Sequence, residues 1–222
     1  MFTVRPLPPQ VDAELLKLLV KAEPATIGHF RHTGFVDPAI RALQQDVRIA
    51  GTAVTVQSAG PDSAIVHFAL GQIRPGDIMV IDRCGDHKHA ITGGAVIYAA
   101  KKAGVAGVII DGVATDFQEL REFGVPIWCR GTTPVTGKML GLGGGFCIPV
   151  SCGGVAVNPG DAIVADENGV LVLPPGDAQA AASRAIAMQK EEKEVTFKRI
   201  DAGEKIGDIS GATQLILSKL AP

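Results

Sequence analysis

The sequence predicts an α/β fold with a central, partly parallel sheet. Three observations carry this. Short apolar runs bounded by turn residues, such as Ile78-Met79-Val80-Ile81 after Pro75-Gly76-Asp77, suit strands buried on both faces. Such runs alternate with helical segments in a βαβαβ order, which argues for parallel strands joined by right-handed crossovers. The 222 residues are 46% hydrophobic and 20% charged, enough for one well-buried core and too apolar for a chain disordered throughout.

The elements follow in order. Leu15, Leu18, Leu19 and Ala22 share one face at helical spacing, which predicts a helix over 11–23 ended by Pro24. A short helix is expected over 38–45. Residues 48–58 are β-branched and alternating, and read as a strand; 63–70 read as a helix. The strand at 78–81 leads through a loop to a helix over 90–103, closed by Gly104. A strand at 108–110, a short helix at 116–123 and a strand at 126–129 complete the alternation. Short β runs follow at 146–150, 154–157, 162–166 and 170–173. Asn158-Pro159-Gly160-Asp161 and Glu167-Asn168-Gly169 are the turns between the later ones. An Ala-rich, then charged stretch over 178–199 predicts a last amphipathic helix, its charges forming a solvated face. No long linker or repeat interrupts the chain, so 1–222 read as a single domain. Residues 1–10 and 201–222 read as extended or intersubunit segments.

Composition removes several functions. A formal net charge of −2 and 5% aromatic residues leave neither the basic footprint nor the stacking platforms of a nucleic-acid binder. No apolar run approaches a membrane span, and the proline-bearing N-terminus lacks the apolar centre of a signal peptide. A cytoplasmic protein without membrane or nucleic-acid partners is the expectation. Cys84, Cys129, Cys147 and Cys152 include no Cys-x-x-Cys pair, so reduced thiols are expected rather than a zinc site.

Ligands of parallel α/β sheets collect at the carboxyl ends of the strands. The loop Asp82-Arg83-Cys84-Gly85-Asp86-His87-Lys88-His89 carries two histidines at i, i+2. These can bind a transition metal or act as acid and base, or serve as ordinary polar loop residues. Gly93-Gly94 opens backbone N–H groups near a helix start to carboxylate or phosphate oxygens, or merely permits close packing. Asp116 has two readings. It caps the helix behind it, with Glu119 as capping-box partner, or it is a ligand for a hard divalent ion. A fourth loop, from Arg130 to Pro134, follows the next strand.

Residues 93–134, GGAVIYAAKKAGVAGVIIDGVATDFQELREFGVPIWCRGTTP, and residues 148–174, IPVSCGGVAVNPGDAIVADENGVLVLP, carry a family resemblance. They resemble the family of the regulator of ribonuclease E activity A and the class II 4-hydroxy-4-methyl-2-oxoglutarate aldolases. The resemblance implies a swivelling β/β/α-type fold assembled as a trimer or a pair of trimers, with sites between subunits. It further implies a metal-dependent carbon–carbon lyase (aldolase or decarboxylase) acting on a small oxo or hydroxy acid. Mg²⁺ or Mn²⁺ would be held at Asp116, with the substrate against Gly93, Gly94, Ala95, Val96 and Thr115. The alternative within the same resemblance is a non-catalytic regulator or binding protein.

The aldolase pattern is Gly, an acidic residue, twenty residues, then Arg-Asp. Here it reads Gly93, Gly94, the twenty residues 95–114, then Thr115-Asp116. The spacing and the aspartate match; the acidic and arginine positions differ. Thr115 has no charge and cannot hold a carboxylate bidentately. Arg83 or Arg130 is therefore the candidate cation, and His87 or His89 the candidate base. A related oxo or hydroxy acid is the expected substrate class.

Overall fold

The computed structural model describes residues 1–220. Thirteen strands are β1 (Phe2–Val4), β2 (Arg41–Ala42), β3 (Arg48–Gln57), β4 (Asp77–Asp82), β5 (Gly107–Asp111), β6 (Val113–Ala114), β7 (Ile127–Cys129), β8 (Gly131–Thr132), β9 (Gly144–Phe146), β10 (Val150–Cys152), β11 (Val155–Val157), β12 (Ala162–Asp166) and β13 (Gly169–Leu173). The helices are α1 (Ala13–Leu19), α2 (Pro24–Gly28), α3 (Ala64–Leu70), α4 (Gly94–Ala103), α5 (Phe117–Phe123), α6 (Pro175–Glu191), α7 (Phe197–Asp201), α8 (Ile206–Ile209) and α9 (Ala212–Leu217). A π-helical turn, Glu192–Thr196, joins α6 to α7.

The predicted alternation produces the predicted sheet. Strands β3, β4, β5 and β7 lie side by side and parallel. The ten-residue β3 pairs along its other edge with two partners, both antiparallel. Its first half meets β12 and its last two residues meet β9. The period of two then assigns the two faces. Met79, Ile81, Val108 and Ile110 pack against Ile65, Val66, Val96, Ile97 and Leu120 of α3, α4 and α5. Ile78, Val80, Ile109 and Trp128 point the other way, onto Ile163, Ala165, Val170 and Val172 of the β12–β13 hairpin. The hairpin's outer face, Val164, Leu171 and Leu173, is closed by Leu19, Ile27 and the alanines of α6. Small side chains at Ala178, Ala181, Ala182 and Ala185 bring α6 close to that face. Trp128 is fully buried, and its indole N–H donates to the Asp166 carbonyl at 2.8 Å, so its polar atom is satisfied.

Several segments differ from the sequence reading, among them the run over 146–150, which is divided between β9 and β10. Residues 38–45 form no helix. Asp37 accepts the Ala39 N–H and folds a turn, and β2 adds to the edge of β7. Pairing with a neighbouring strand overrides the local helical pattern. The first helix ends at Leu19, and Pro24 opens α2 at its first position, where its missing N–H costs nothing. The long helix starts at Gly94 rather than at residue 90, because Ala90 is bridged to Thr136. The last helix is longer in outline than expected, starts at Pro175 and is broken by the π-helical turn. Residues 192–217 bury none of their side chains. Of the tail expected over 201–222, residues 221 and 222 lie outside the described residues. Among the described residues no helix is long and apolar enough to cross a membrane.

Candidate active site

Strands β4 and β5 end at Asp82 and Asp111, and the loops beyond them converge on the start of α4. The short β6–β8 pair and a bond from the Thr115 N–H to the Thr92 carbonyl, 3.0 Å, fix the second of these loops. Asp116 is thereby held in a left-handed backbone conformation, φ +57° and ψ +43°. Asp is among the few non-glycine residues that adopt this region readily. Its carboxylate makes no capping bond to α5, so the capping box with Glu119 does not form. It turns instead to α4, where Oδ2 accepts the Gly94 N–H at 2.9 Å. A carboxylate thus sits at the positive end of a ten-residue helix.

Gly93 leaves room for this approach. A Cβ on Gly93 would stand 2.5 Å from Asp116 Oδ2 and 2.8 Å from the Thr115 methyl. A Cβ on Gly94 would collide with the Glu119 carboxylate. Glu119 therefore places a second carboxylate over the helix start, in the space that a side chain at position 94 would take.

These residues border a cavity of about 160 Å³ whose lining includes Gly93, Gly94, Ala95, Val96, Thr115 and Asp116 together with Ser63, His67 and Thr136. That is below the roughly 300 Å³ at which drug-sized sites begin, and suits a small acid. The first-turn N–H groups of a helix have no carbonyl partner within it. Gly94 spends its own on Asp116, and those of Ala95 and Val96 have no partner within the helix.

The candidate cations and bases lie elsewhere. Arg83 is fully buried, with its guanidinium donating to the carbonyls of Ser58, Gly60 and His89 and approaching Asp86 at 3.4 Å. Arg130 is clamped by Asp111 at 2.6 Å and Asp37 at 3.0 Å. Burial opposes the Arg130 charge, but the two carboxylates outweigh it and raise its pKa above the ordinary value. His89 Nδ1 lies 2.8 Å from Asp86, and His87 Nε2 lies 3.9 Å from Asp111. None of the four lines the cavity, and the two histidines face different carboxylates. All four cysteines are free, Cys84 exposed and the others buried.

Asp86 gives this loop an acid-sensitive anchor. Burial works to raise its carboxyl, but the N–H groups of Lys88 and His89 and the His89 ring prevail and hold it at about 2. A folded-state pKa below the unfolded one adds stability that is complete above the unfolded value and fades as pH falls towards 2. Urea midpoints taken from pH 5 to pH 2 are expected to fall less steeply in Asp86→Asn than in the parent. Parallel slopes would show that the anchor carries no such linkage.

Two residues beside the cavity are not among the candidates taken from the sequence. Ser63, the residue before α3, and His67 stand at i, i+4. That polar pair in an otherwise apolar helix is the signal the sequence offers. Glu119 reads there only as a capping partner.

The donor set suits a hard divalent cation. Asp116 and Glu119 offer carboxylate oxygens, and Mg²⁺ is commonly held by one or two carboxylates with water. Among the described residues no three His, Cys, Asp or Glu side chains converge, so substrate and water oxygens would complete the shell.

Fold and site together define an α/β protein with a glycine-lined, carboxylate-capped helix start at the carboxyl edge of its sheet. The chain belongs to the RraA-like family, described as Aldolase/RraA, whose match covers residues 13–172. A Halalkalibacterium halodurans protein named "Putative 4-hydroxy-4-methyl-2-oxoglutarate aldolase" is 39% identical over 154 residues, 69% of this chain and 73% of that one. The Thermus thermophilus 4-hydroxy-4-methyl-2-oxoglutarate aldolase is 33% identical over 57% of this chain and 76% of its own. The crystal structure of Streptomyces coelicolor RraAS2, described as an unusual member of the RNase ES inhibitor RraA protein family, superposes with a TM-score of 0.75. It is 30% identical and covers 87% of this chain and 100% of its own.

Proposed function

We propose that this protein is a divalent-metal-dependent carbon–carbon lyase, of the aldolase or decarboxylase kind, acting on a small oxo or hydroxy acid. The observation that carries the reading is the Asp116 carboxylate, fixed at the start of α4 beside a small cavity that the first residues of that helix help to line. The names of the two aldolase relatives support it.

In this reading Asp116 would hold Mg²⁺ or Mn²⁺, with Glu119 a further carboxylate at the same helix start. When bound, the cation supplies Lewis-acid stabilisation of negative charge developing on a keto oxygen. The Ala95 and Val96 N–H groups orient the substrate carboxylate. The Thr115 hydroxyl, 3.4 Å from Asp116 Oδ1, offers a hydrogen bond where the aldolase pattern has arginine. Loss of that charge weakens the grip on a second carboxylate and favours a substrate other than 4-hydroxy-4-methyl-2-oxoglutarate. The expected assembly, a trimer or hexamer with sites between subunits, belongs to the same proposal.

The test is oxaloacetate decarboxylation with Mg²⁺ or Mn²⁺, measured above the rate of the metal alone and repeated with chelator. Metal-dependent turnover by the protein supports the lyase reading. A second reading, a binding or regulatory role, rests on the uncharged Thr115 and on the likeness to Streptomyces RraAS2, from a family described as RNase ES inhibitors. A folded protein inert with either metal, here and toward 4-hydroxy-2-oxo acids, would favour it.

A further inference from the structure

Carbon–carbon cleavage of a hydroxy acid needs a proton carrier as well as a metal site. A hydroxyl must lose its proton as the bond breaks, and the carbon left with the electron pair must gain one. Asp116, committed to the helix start and to the cation, is unsuited to both tasks. Among the described residues lining the cavity, the other titratable side chain is His67; Glu119, at the same helix start, is not part of the lining. Ser63 spends its hydroxyl proton on the Lys138 carbonyl at 3.1 Å. Thr115 and Thr136 carry alcohols that do not ionise near neutral pH. The loop candidates are elsewhere, with Arg83 and Arg130 locked to carbonyls and carboxylates and His89 to Asp86.

The helix that carries His67 is held in place, while the His67 side chain itself is exposed. Ile65 and Val66 of α3 share one buried cluster with Val96 and Ile97 of α4, which fixes the two helices side by side. His67, on the face that Ser63 begins, is therefore presented to the cavity from a packed helix.

We propose that His67 is the proton carrier of this site. The inference rests on the lyase reading and adds a catalytic residue to it. The neutral imidazole accepts the proton of a substrate hydroxyl. The oxygen's electron pair forms the new carbonyl, and the carbon–carbon bond breaks. Its electrons pass into the enolate of the departing oxo acid. The imidazolium then returns the same proton to the enolate carbon, which becomes the methyl group of a pyruvate-type product. Protons and electrons balance without any further reactant. Partial burial lowers the His67 pKa below the ordinary value, which keeps the ring neutral and ready to accept at pH 7.

Decarboxylation of oxaloacetate breaks a bond to a carboxylate and has no hydroxyl proton to remove. The two reactions therefore separate the role of His67 from that of the metal site. For the full-length protein with Mg²⁺, His67→Gln is expected to lower kcat for cleavage of 4-hydroxy-2-oxo acids by about 100-fold or more. KM and Mg²⁺ affinity should stay near those of the parent, and decarboxylation, which needs only protonation of the enolate, should fall less than cleavage does, water supplying that proton. In His67→Ala, added imidazole should restore part of the cleavage rate, which a structural role would not allow. Equal cleavage by parent and His67→Gln would overturn the proposal alone. So would a parent that decarboxylates oxaloacetate but cleaves no 4-hydroxy-2-oxo acid. A parent inert in both reactions would overturn the lyase reading, and this inference with it.

Discussion

Asp116→Asn is expected to remove metal-dependent turnover. The substitution is nearly isosteric, and asparagine also accepts the left-handed backbone that position 116 requires. Its amide oxygen can still receive the Gly94 N–H, so α4 keeps its start. What disappears is the negative charge. Residues that merely support a metal ligand cost about 10–100-fold when removed, so losing the ligand should cost at least about 100-fold in kcat/KM. The stability loss should be small, about 0.3–1 kcal/mol for a charge at a helix terminus. Calorimetric titration with Mn²⁺ and steady-state rates read the two effects separately. Unchanged turnover would reduce Asp116 to a helix cap and remove the foundation of the proposed function.

Arg83→Met should behave in the opposite way. The guanidinium is fully buried and ties together the Ser58, Gly60 and His89 carbonyls and the Asp86 carboxylate. Methionine fills part of the space but donates nothing, leaving buried carbonyls unpaired. Breaking such an arrangement costs about 3–5 kcal/mol. Lysine should not rescue it, because a single ammonium cannot reproduce the planar fork. Urea unfolding is the measurement, with a lower midpoint at unchanged slope as the expected result. An unaltered midpoint with a collapsed kcat would instead make Arg83 the cation that Thr115 lacks.

The contrast between these two residues shows what the sequence could and could not reveal. Asp116 stands out through the family resemblance, whose pattern sets its spacing from Gly93-Gly94. Read from the residues alone it is as readily a cap for α5, and its bond to the Gly94 N–H is visible only in the fold. Arg83 was not legible, since its partners are main-chain carbonyls of Ser58 and Gly60, which every residue type supplies. Arg130 is similar, as Asp37 lies far away in sequence and reaches it through a turn that reads as helix. His67 stays hidden because one polar residue in an apolar helix gives no sign of which cavity its face meets. The central strands read closely because continuous apolar runs between turn residues leave little choice. Residues 38–45 mislead because a two-residue edge strand has no pattern of its own, and its conformation is imposed by β7.

The two partners on one edge of β3 set an order of events during synthesis. Residues 48–57 leave the ribosome early, and β4 can cover one side of them soon afterwards. The other side waits for residues 144–146 and 162–166, roughly a hundred residues later. At about 5–20 residues per second, that is a delay on the order of ten seconds. Throughout it, a long apolar strand presents unpaired N–H and carbonyl groups to the crowded surroundings of the nascent chain. Slower translation between residues 58 and 166 should therefore raise the demand for chaperones, while leaving the finished protein unaltered.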